Sequence, residues 1–193
     1  MLHHWRLLAF SCCAAAITVA ATEHQVSRQS AEFLLAAGKA GRIEIGLPVD
    51  DLYRIVGREN TRLVDLFPEG MFQPALEIRL PGAPVAPAVI VSIREWPCVV
   101  WSIQGIDVRD PRFRTAEGIG VGSTLADVQK QYEVTLSNAE GPHARAEAQR
   151  MTFGLDNASF GATAKVKSVW LPSDPVAVRK ARCPERGPLG PAL

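Results

Sequence analysis

The sequence predicts an α+β fold in which two tandem helix-plus-antiparallel-sheet repeats follow an N-terminal helix. The first observation is an internal similarity. Residues 118–133 (GIGVGSTLADVQKQYE) match residues 42–57 (RIEIGLPVDDLYRIVG) with three identities and four conservative pairs over 16 positions. Both segments have the pattern of a short strand, a glycine turn and an amphipathic helix. The second observation is that alternating apolar residues follow each segment, as in antiparallel strands with one buried face.

The first 21 residues have the features of a cleaved export signal. A basic start that includes Arg6 precedes the apolar run 7–21, which ends in small residues. At about 15 residues, this run is shorter than the stretch of about 20 that a membrane-spanning helix needs. We therefore expect a periplasmic or secreted protein with no transmembrane span in the mature chain. Cys12 and Cys13 leave a lipoprotein as the alternative, although the bulky Phe10 fits a lipidation box poorly.

Five segments are predicted along the chain. They are a signal peptide at 1–21, an N-terminal helix at 22–41, a first repeat at 42–117, a second repeat at 118–175 and a Pro/Arg-rich tail at 176–193. Removal of the signal peptide takes Lys+Arg from 21 to 20, which equals the Asp+Glu count of 20. A chain of zero net charge has no long-range attraction for phosphate backbones, so nucleic acid is disfavoured as a partner.

Two cysteines, Cys98 and Cys183, would remain after cleavage. In an oxidising compartment, an even number of cysteines favours one disulfide bond between them. The alternative is two separate buried thiols. The sequence contains no CxxC or HxxxH spacing, and we therefore expect no metal site.

The predicted helices follow from capping residues and apolar spacing. Ser27 or Ser30 can cap the N-terminal helix, and the glycines that follow residue 37 would end it. In the first repeat, Pro48 suits the first helical position and precedes an apolar stripe. In the second repeat, Thr124 and Asp127 have the spacing of a capping box.

The strands follow from period-two alternation. They are predicted at residues 43–45, 63–67, 76–80, 88–94, 98–108, 119–121, 151–153 and 165–171. The apolar face changes parity within 98–108, and Gly105 is therefore predicted to mark a β-bulge. The polar segment 137–148 is predicted to be a mobile connection. Because sheet strands bury one face, the helices should cover one side of each sheet and leave the other side open.

Tryptophans and arginines are the candidate binding residues. Trp96 ends a predicted strand, and Trp101 lies within the next one. Tryptophans on an exposed sheet face act as interface anchors. The alternative, which applies most to Trp101 and to Trp170, is a place in the core.

Three arginines lie within six residues in the connector between the repeats. Arg109, Arg112 and Arg114 could form a patch that binds an anion or a partner. The alternative is a solvated connector in which Asp110 and Glu117 form local ion pairs, which is the usual situation at a protein surface.

The sequence shows no catalytic set. Neither His24 nor His143 adjoins a candidate nucleophile, and the glycines around residue 120 lack the spacing of a GxGxxG motif. Acidic residues at the predicted helix starts are explained by the helix dipole. We therefore expect no enzymatic activity and no cofactor.

The repeated unit resembles one shared by the secreted β-lactamase inhibitor protein and the small outer-membrane assembly lipoproteins. There, a short I-x-x-G segment opens a helix that packs on an antiparallel sheet, and here the matching segments are IEIGLPVDDL and IGVGSTLADV. The resemblance covers about residues 42–173. Residues 110–132 are also similar to a segment of uncharacterised bacterial exported proteins. This chain departs from the pattern in lacking local disulfides and a clear lipidation box, and no contact residue is transferred.

These patterns lead to two functional hypotheses. The first is an exported, non-enzymatic protein-binding module, either inhibitor-like or an accessory in envelope assembly. Its contacts would include Trp96, Trp101, Arg112 and Arg114. The alternative is a periplasmic small-ligand or anion-binding protein that uses Arg109, Arg112 and Arg114.

Overall fold

The computed structural model describes residues 31–67, 70–95 and 100–173, and this part of the chain is mostly β. An eight-stranded antiparallel sheet has the strand order β4-β5-β6-β7-β11-β10-β9-β8, and a three-stranded sheet has the order β1-β2-β3. Two α-helices lie entirely within the described residues, α1 (Val49–Val56) and α2 (Leu125–Gln131). The strands are β1 Leu35–Ala36, β2 Lys39–Ala40, β3 Ile43–Glu44, β4 Thr61–Leu66, β5 Gln73–Ile78, β6 Val89–Glu95, β7 Trp101–Val108, β8 Thr135–Ser137, β9 His143–Ala146, β10 Met151–Leu155 and β11 Val166–Leu171.

The predicted fold class of two helix-plus-sheet repeats is wrong. Strands from both halves of the chain form one continuous sheet, because β7 pairs antiparallel with β11 and brings Val108 opposite Val169. The helices have only eight and seven residues, so strands dominate the described structure. Periodicity within each segment indicated the strands but not the pairing that joins them, which depends on contacts between distant residues.

The predicted N-terminal helix at 22–41 is wrong over residues 35–41, although Ala31 and Glu32 are helical. Strands β1 and β2 occupy positions 35–40, and the earlier part of the predicted helix lies outside the described residues. Leu35, Ala40 and Ile43 are buried, whereas their strand neighbours are exposed. Gly38 and Gly41 have positive φ values of 69° and 58°, and such backbone turns suit glycine. The chain therefore turns back twice within ten residues instead of continuing as a helix.

The two similar segments do share a local geometry. Gly46 and Gly122 have φ values of 88° and 90° directly before the two helices. Each glycine N–H donates a hydrogen bond to a strand carbonyl, Gly46 to Ile103 at 2.8 Å and Gly122 to Val166 at 2.7 Å. The sequence similarity therefore corresponds to a common way of attaching a short helix to the sheet.

The predicted cap of the second helix is confirmed. Thr124 Oγ1 accepts a hydrogen bond from the Asp127 N–H at 3.2 Å, and Asp127 Oδ2 accepts one from the Thr124 N–H at 2.9 Å. This reciprocal pair satisfies two N–H groups that have no partner within the helix. The first helix begins at Val49, so Pro48 is its N-cap residue and not its first residue as predicted, and it gives no side-chain cap.

One apolar core lies between the large sheet, the helices and the small sheet. From the helices it includes Leu52, Leu125 and Val128, and from the sheet it includes Leu76 and Phe153. Residues that alternate with these along the strands, such as Arg62 and Thr152, lie on the other face of the sheet. We call this second face the open face, because neither α1 nor α2 packs on it.

A register shift between β6 and β7 marks the middle of the large sheet. Ser92 pairs with Gly105 and Ile93 with Ile103, so Gln104 is an extra residue on β7. This confirms the β-bulge predicted at Gly105. The segment 137–148 differs from its prediction as a mobile connection, because it supplies part of β8 and all of β9. Polar residues suit this position because β8 is the last strand of the sheet and many side chains of β8 and β9 are exposed or partly exposed.

A search of the described residues finds no helix that is both long enough and apolar enough to cross a membrane.

Candidate binding surfaces

Five large apolar side chains are exposed near one end of the large sheet. They are Leu63, Phe67, Met71, Phe72 and Trp101, and their exposed fractions range from 44% for Trp101 to 78% for Phe72. We call this set the apolar patch. Single exposed apolar residues are ordinary, but a group of this size is a feature of interaction sites.

The β4–β5 hairpin and the start of β7 bring the patch together. Phe67 and Phe72 flank the hairpin turn, and their rings meet edge to face with centroids 4.8 Å apart. Met71 and Phe72 line a cavity of about 360 Å³ with Trp101. Leu63 lines a second cavity, of about 560 Å³, which also includes Trp101. Trp101 therefore connects the two halves of the patch.

The patch adjoins an edge of the large sheet. Strand β4 is the first strand in the sheet order and pairs only with β5 among the described strands. It has six residues, whereas β8 at the opposite edge has three. One row of backbone N–H and C=O groups on an edge strand points away from the sheet and can pair with another chain. Here, that row runs beside the exposed side chain of Leu63.

The three tryptophans considered in the sequence analysis differ in where they lie. Trp96 lies outside the described residues, and its role as a contact stays a prediction. Trp101 is exposed and belongs to the apolar patch. Trp170 lies on β11 opposite Asp107 and is partly buried on the open face.

Each of the three connector arginines contacts a different group within the chain. Arg109 pairs with Asp107 at 3.0 Å, and Arg114 Nη1 donates to Ser123 Oγ at 3.2 Å. Arg112 pairs with Asp110, whose side chain is completely buried. The Arg112–Asp110 pair matches the predicted local pairing, but Asp110 is buried and not solvated, and Glu117 bonds to Tyr132 instead of to an arginine.

Arg112 has the largest set of partners. Its guanidinium donates to Asp110 Oδ2 at 2.6 Å and to the Pro81 carbonyl at 2.8 Å. Its Cζ lies 4.5 Å from the centroid of the Phe33 ring, within the distance of a cation–π contact. Arg112 therefore joins the connector to the β5–β6 loop and to the N-terminal part of the described chain.

Asp107, near the end of β7, has a side-chain carboxyl group with a shifted pKa. Burial raises the pKa of this carboxyl above its ordinary value, against the opposing effects of Arg109 and of a hydrogen bond to Ser168. Perturbed groups of this kind occur at functional sites and also in structural ion pairs. Asp107 lies on the open face, next to Trp170 across the β7–β11 pair.

We expect Asp107→Asn to change the pH dependence of stability. A raised folded-state pKa means that the folded protein binds more protons than the unfolded chain at pH values from about 3.8 upward to the raised pKa. Wild-type stability then loses a contribution as pH rises through this window. The stability of Asp107→Asn relative to wild type should therefore increase from pH 3 to pH 7, as measured by urea unfolding at each pH. A difference that stays constant, or that falls with pH, would contradict this assignment.

A buried hydroxyl cluster fixes the end of α2. Tyr132 Oη donates to Glu117 Oε2 at 2.5 Å and lies 2.7 Å from Thr115 Oγ1. Burial, followed by the Glu117 contact, raises the pKa of Tyr132 to about 12. The phenol therefore stays protonated at neutral pH and acts as a hydrogen-bond donor. The same hydrogen bond lowers the pKa of Glu117.

Within the described ranges, no group of three or more His, Cys, Asp or Glu side chains could hold a metal ion. Cys98 and Cys183 lie outside the described residues, so their disulfide bond stays a prediction.

Comparison with known proteins gives little further information. No family model matches the chain, and no curated protein matches it. Among solved structures, the crystal structure of the uncharacterized protein YfeY from Escherichia coli is similar, with a TM-score of 0.47 and 12% sequence identity. The match covers 72% of this chain and 97% of YfeY. At these values, neither a family nor a function follows from the similarity, and the resemblance to inhibitor and assembly proteins stays a prediction.

Four members of the apolar patch were not predicted as binding residues. Phe67, Met71 and Phe72 surround the sequence Pro68-Glu69-Gly70, whose residue types favour a turn. A hairpin turn brings the residues on its two sides together, so the turn could have indicated that these apolar residues cluster at one end. Leu63 fits the alternation of the predicted strand at 63–67, and nothing else in the sequence indicates that its side chain is exposed.

Proposed function

We propose that this chain is an exported, non-enzymatic protein-binding module that engages its partner through the apolar patch. The observation that carries the proposal is the exposure of five large apolar side chains around Trp101 at one end of the sheet. Aromatic side chains, and tryptophan above all, contribute a large share of the binding free energy at protein interfaces. Methionine adds an adaptable surface, since its side chain is flexible and polarizable.

The position of the patch favours a partner that presents an extended apolar segment. Such a segment can pair with the free edge of β4 and place its side chains against Leu63 and Trp101. Edge strands are usually protected by charged residues. On β4, Arg62 lies on the open face and pairs there with Glu77 at 2.6 Å, so the exposed Asp65 is the one charged residue of this strand on the side of Leu63.

The non-enzymatic part of the proposal is supported by the nature of the perturbed groups. Tyr132 has a raised pKa and is held by Glu117 and Thr115, which suits a structural donor and not a base. The alternative of an anion carrier built on Arg109, Arg112 and Arg114 is less favoured, because each arginine already has an acceptor within the chain.

The proposal is tested by comparative affinity capture. We expect the immobilised wild-type chain to retain one stoichiometric protein from envelope extract. The Phe72→Ser and Trp101→Ala variants should each retain at least tenfold less, because loss of a central interface anchor costs about 2 kcal/mol or more. Both variants should keep the wild-type melting temperature, since these side chains are exposed.

Matched controls remove apolar side chains that lie elsewhere on the surface. Val85 and Leu136 are 40% and 37% exposed, and neither belongs to the patch. Val85→Ser and Leu136→Ser should retain the partner at the wild-type level. Equal losses in the patch and control variants would refute a specific site. Concentration-dependent self-association through the patch, with nothing captured, would also contradict the proposal.

A further inference from the structure

A groove of about 520 Å³ crosses the open face of the large sheet. We call it the open-face groove. Its volume falls within the range of about 300–1,000 Å³ that is usual for small-molecule sites. Its walls include the hairpin loop at 140–142 and the β5 residue Gln73. The groove is distinct from the apolar patch, since no member of the patch lines it.

The register of the sheet places an aromatic, a hydroxyl and a cation side by side in this groove. Trp170 on β11 is paired with Thr152 on β10, and Thr152 is paired with Arg145 on β9. A glycine on β7 makes room for the indole: a Cβ at Gly105 would lie 2.3 Å from Cη2 and 2.7 Å from Cζ2 of Trp170. The absence of a side chain at residue 105 thus allows Trp170 to lie over the sheet.

A register shift brings a second cation to the same groove. Gly154 pairs with Ser168 and Leu155 with Val166, so Lys167 is an extra residue on β11. Such bulges redirect side chains and are common next to binding sites. Both Lys167 and Ser168 line the groove as a result.

The charges in and around the groove favour a negatively charged group. Arg145 and Lys167 line it together with one carboxylate, Glu140. Within the described ranges Lys167 forms no salt bridge, although its charge acts on the nearby Asp107 carboxyl. The partner of Arg145 is Glu147, and both side chains are more than half exposed, so this pair contributes little and can be exchanged. The neighbouring Asp107 is already paired with Arg109 and bonded to Ser168.

We infer that the open-face groove is a second binding site, for a sugar acid: a hydroxylated ring that carries a carboxylate. Trp170 offers apolar surface to the ring, since an indole combines an apolar body with a polar N–H. Thr152, Ser168 and Gln73 offer hydrogen bonds to hydroxyl groups. Arg145 and Lys167 offer charge-assisted hydrogen bonds to the carboxylate. This site goes beyond the proposed protein-binding function and does not depend on it.

The test is calorimetric titration of the chain with three probes. D-glucuronate has both the ring and the carboxylate, D-glucose has only the ring, and acetate has only the carboxylate. We expect glucuronate to bind with a Kd of about 1 mM or lower, and the other two probes to bind at least tenfold more weakly. No saturable heat with glucuronate up to about 10 mM would overturn the proposal. Acetate that binds as tightly as glucuronate would also overturn it, because the site would then recognise a bare anion.

A pair of nearby lysines gives a matched control for the position. Lys165 and Lys167 are both exposed and lie two residues apart, but only Lys167 lines the groove. Lys167→Ala and Arg145→Ala should each weaken glucuronate binding at least tenfold, whereas Lys165→Ala should change it less than twofold. Equal effects of the two lysine variants would overturn the assignment of the site. Phe72→Ser should leave glucuronate binding unchanged, so failure of the protein-binding proposal can be recognised separately.

Discussion

Replacement of Arg112 by alanine is expected to destabilise the fold by about 3 kcal/mol, because it leaves a buried carboxylate without its main partner. The Asp110 side chain is completely buried, while Arg112 is 30% exposed. The estimate is at the lower end of the usual range for a broken buried pair, since the Arg112 backbone N–H still donates to Asp110 Oδ1 at 2.9 Å. Urea unfolding at pH 7 measures the change in the free energy of unfolding.

Arg109→Ala is the matched control within the same connector. Arg109 is 47% exposed, and its partner Asp107 is 19% exposed and also bonded to Ser168, so this carboxylate keeps more support than Asp110, and we expect a smaller loss of about 1 kcal/mol. A second check adds Asp110→Asn to Arg112→Ala, which removes the unpaired charge and should recover part of the lost stability. Equal, small effects of Arg109→Ala and Arg112→Ala would show that Arg112 is free to bind an external anion, as the alternative hypothesis assumes.

Phe153→Ala should lower the free energy of unfolding by about 3–5 kcal/mol, because a large side chain leaves a cavity at the centre of the core. Phe153 is among the largest fully buried side chains of the described structure. Its ring stacks on Tyr132 at a centroid distance of 6.0 Å, so the loss also loosens the end of α2. Thermal or urea unfolding of the purified variant measures the effect.

Phe67→Ala provides the same chemical change at the surface. Phe67 is 60% exposed and contacts Phe72 in the apolar patch. We expect a loss below about 1 kcal/mol, as is usual for exposed positions outside the core. If Phe67→Ala were as destabilising as Phe153→Ala, the patch would be part of the core, and the protein-binding proposal would lose its main support.

Local patterns in the sequence predicted most individual elements. The stripe after Pro48 gave α1, the spacing of Thr124 and Asp127 gave the capping box of α2, and the change of parity gave the bulge at Gly105. These features depend on residues that are close in sequence, so their signals can be read without the rest of the chain.

The arrangement of the elements could not be read in the same way. The pairing of β7 with β11 brings together residues that are far apart in sequence, and no periodicity encodes it. Positions 35–41 are predicted to be helical because a few apolar residues in this region have helical spacing. The turns at Gly38 and Gly41 decided the outcome, since both glycines have positive φ values that interrupt a helix.

The binding surfaces were predicted only where one residue carried a strong signal. Trp101 was recognised because tryptophan is a frequent anchor, and the structure places it at the centre of the apolar patch. The arginines were predicted as a cluster because they are neighbours in sequence. In the structure, they contact Asp107, Asp110 and Ser123, and charge density along the chain does not show which of these acceptors lies within reach.

The junction between β7 and β11 also has a consequence for the order of folding. On either side of this junction, each strand pairs with its neighbour in sequence through a hairpin. The junction itself joins Val108 to Val169, which are 61 residues apart in sequence. Closing a loop of that length lowers the conformational entropy of the chain before the new contacts contribute any stabilisation. Such non-local pairings therefore slow folding. Each half of the sheet can therefore assemble early, and the junction is expected to form late. Until it closes, the edges of β7 and β11 stay exposed, which makes this interval the one most open to misassembly.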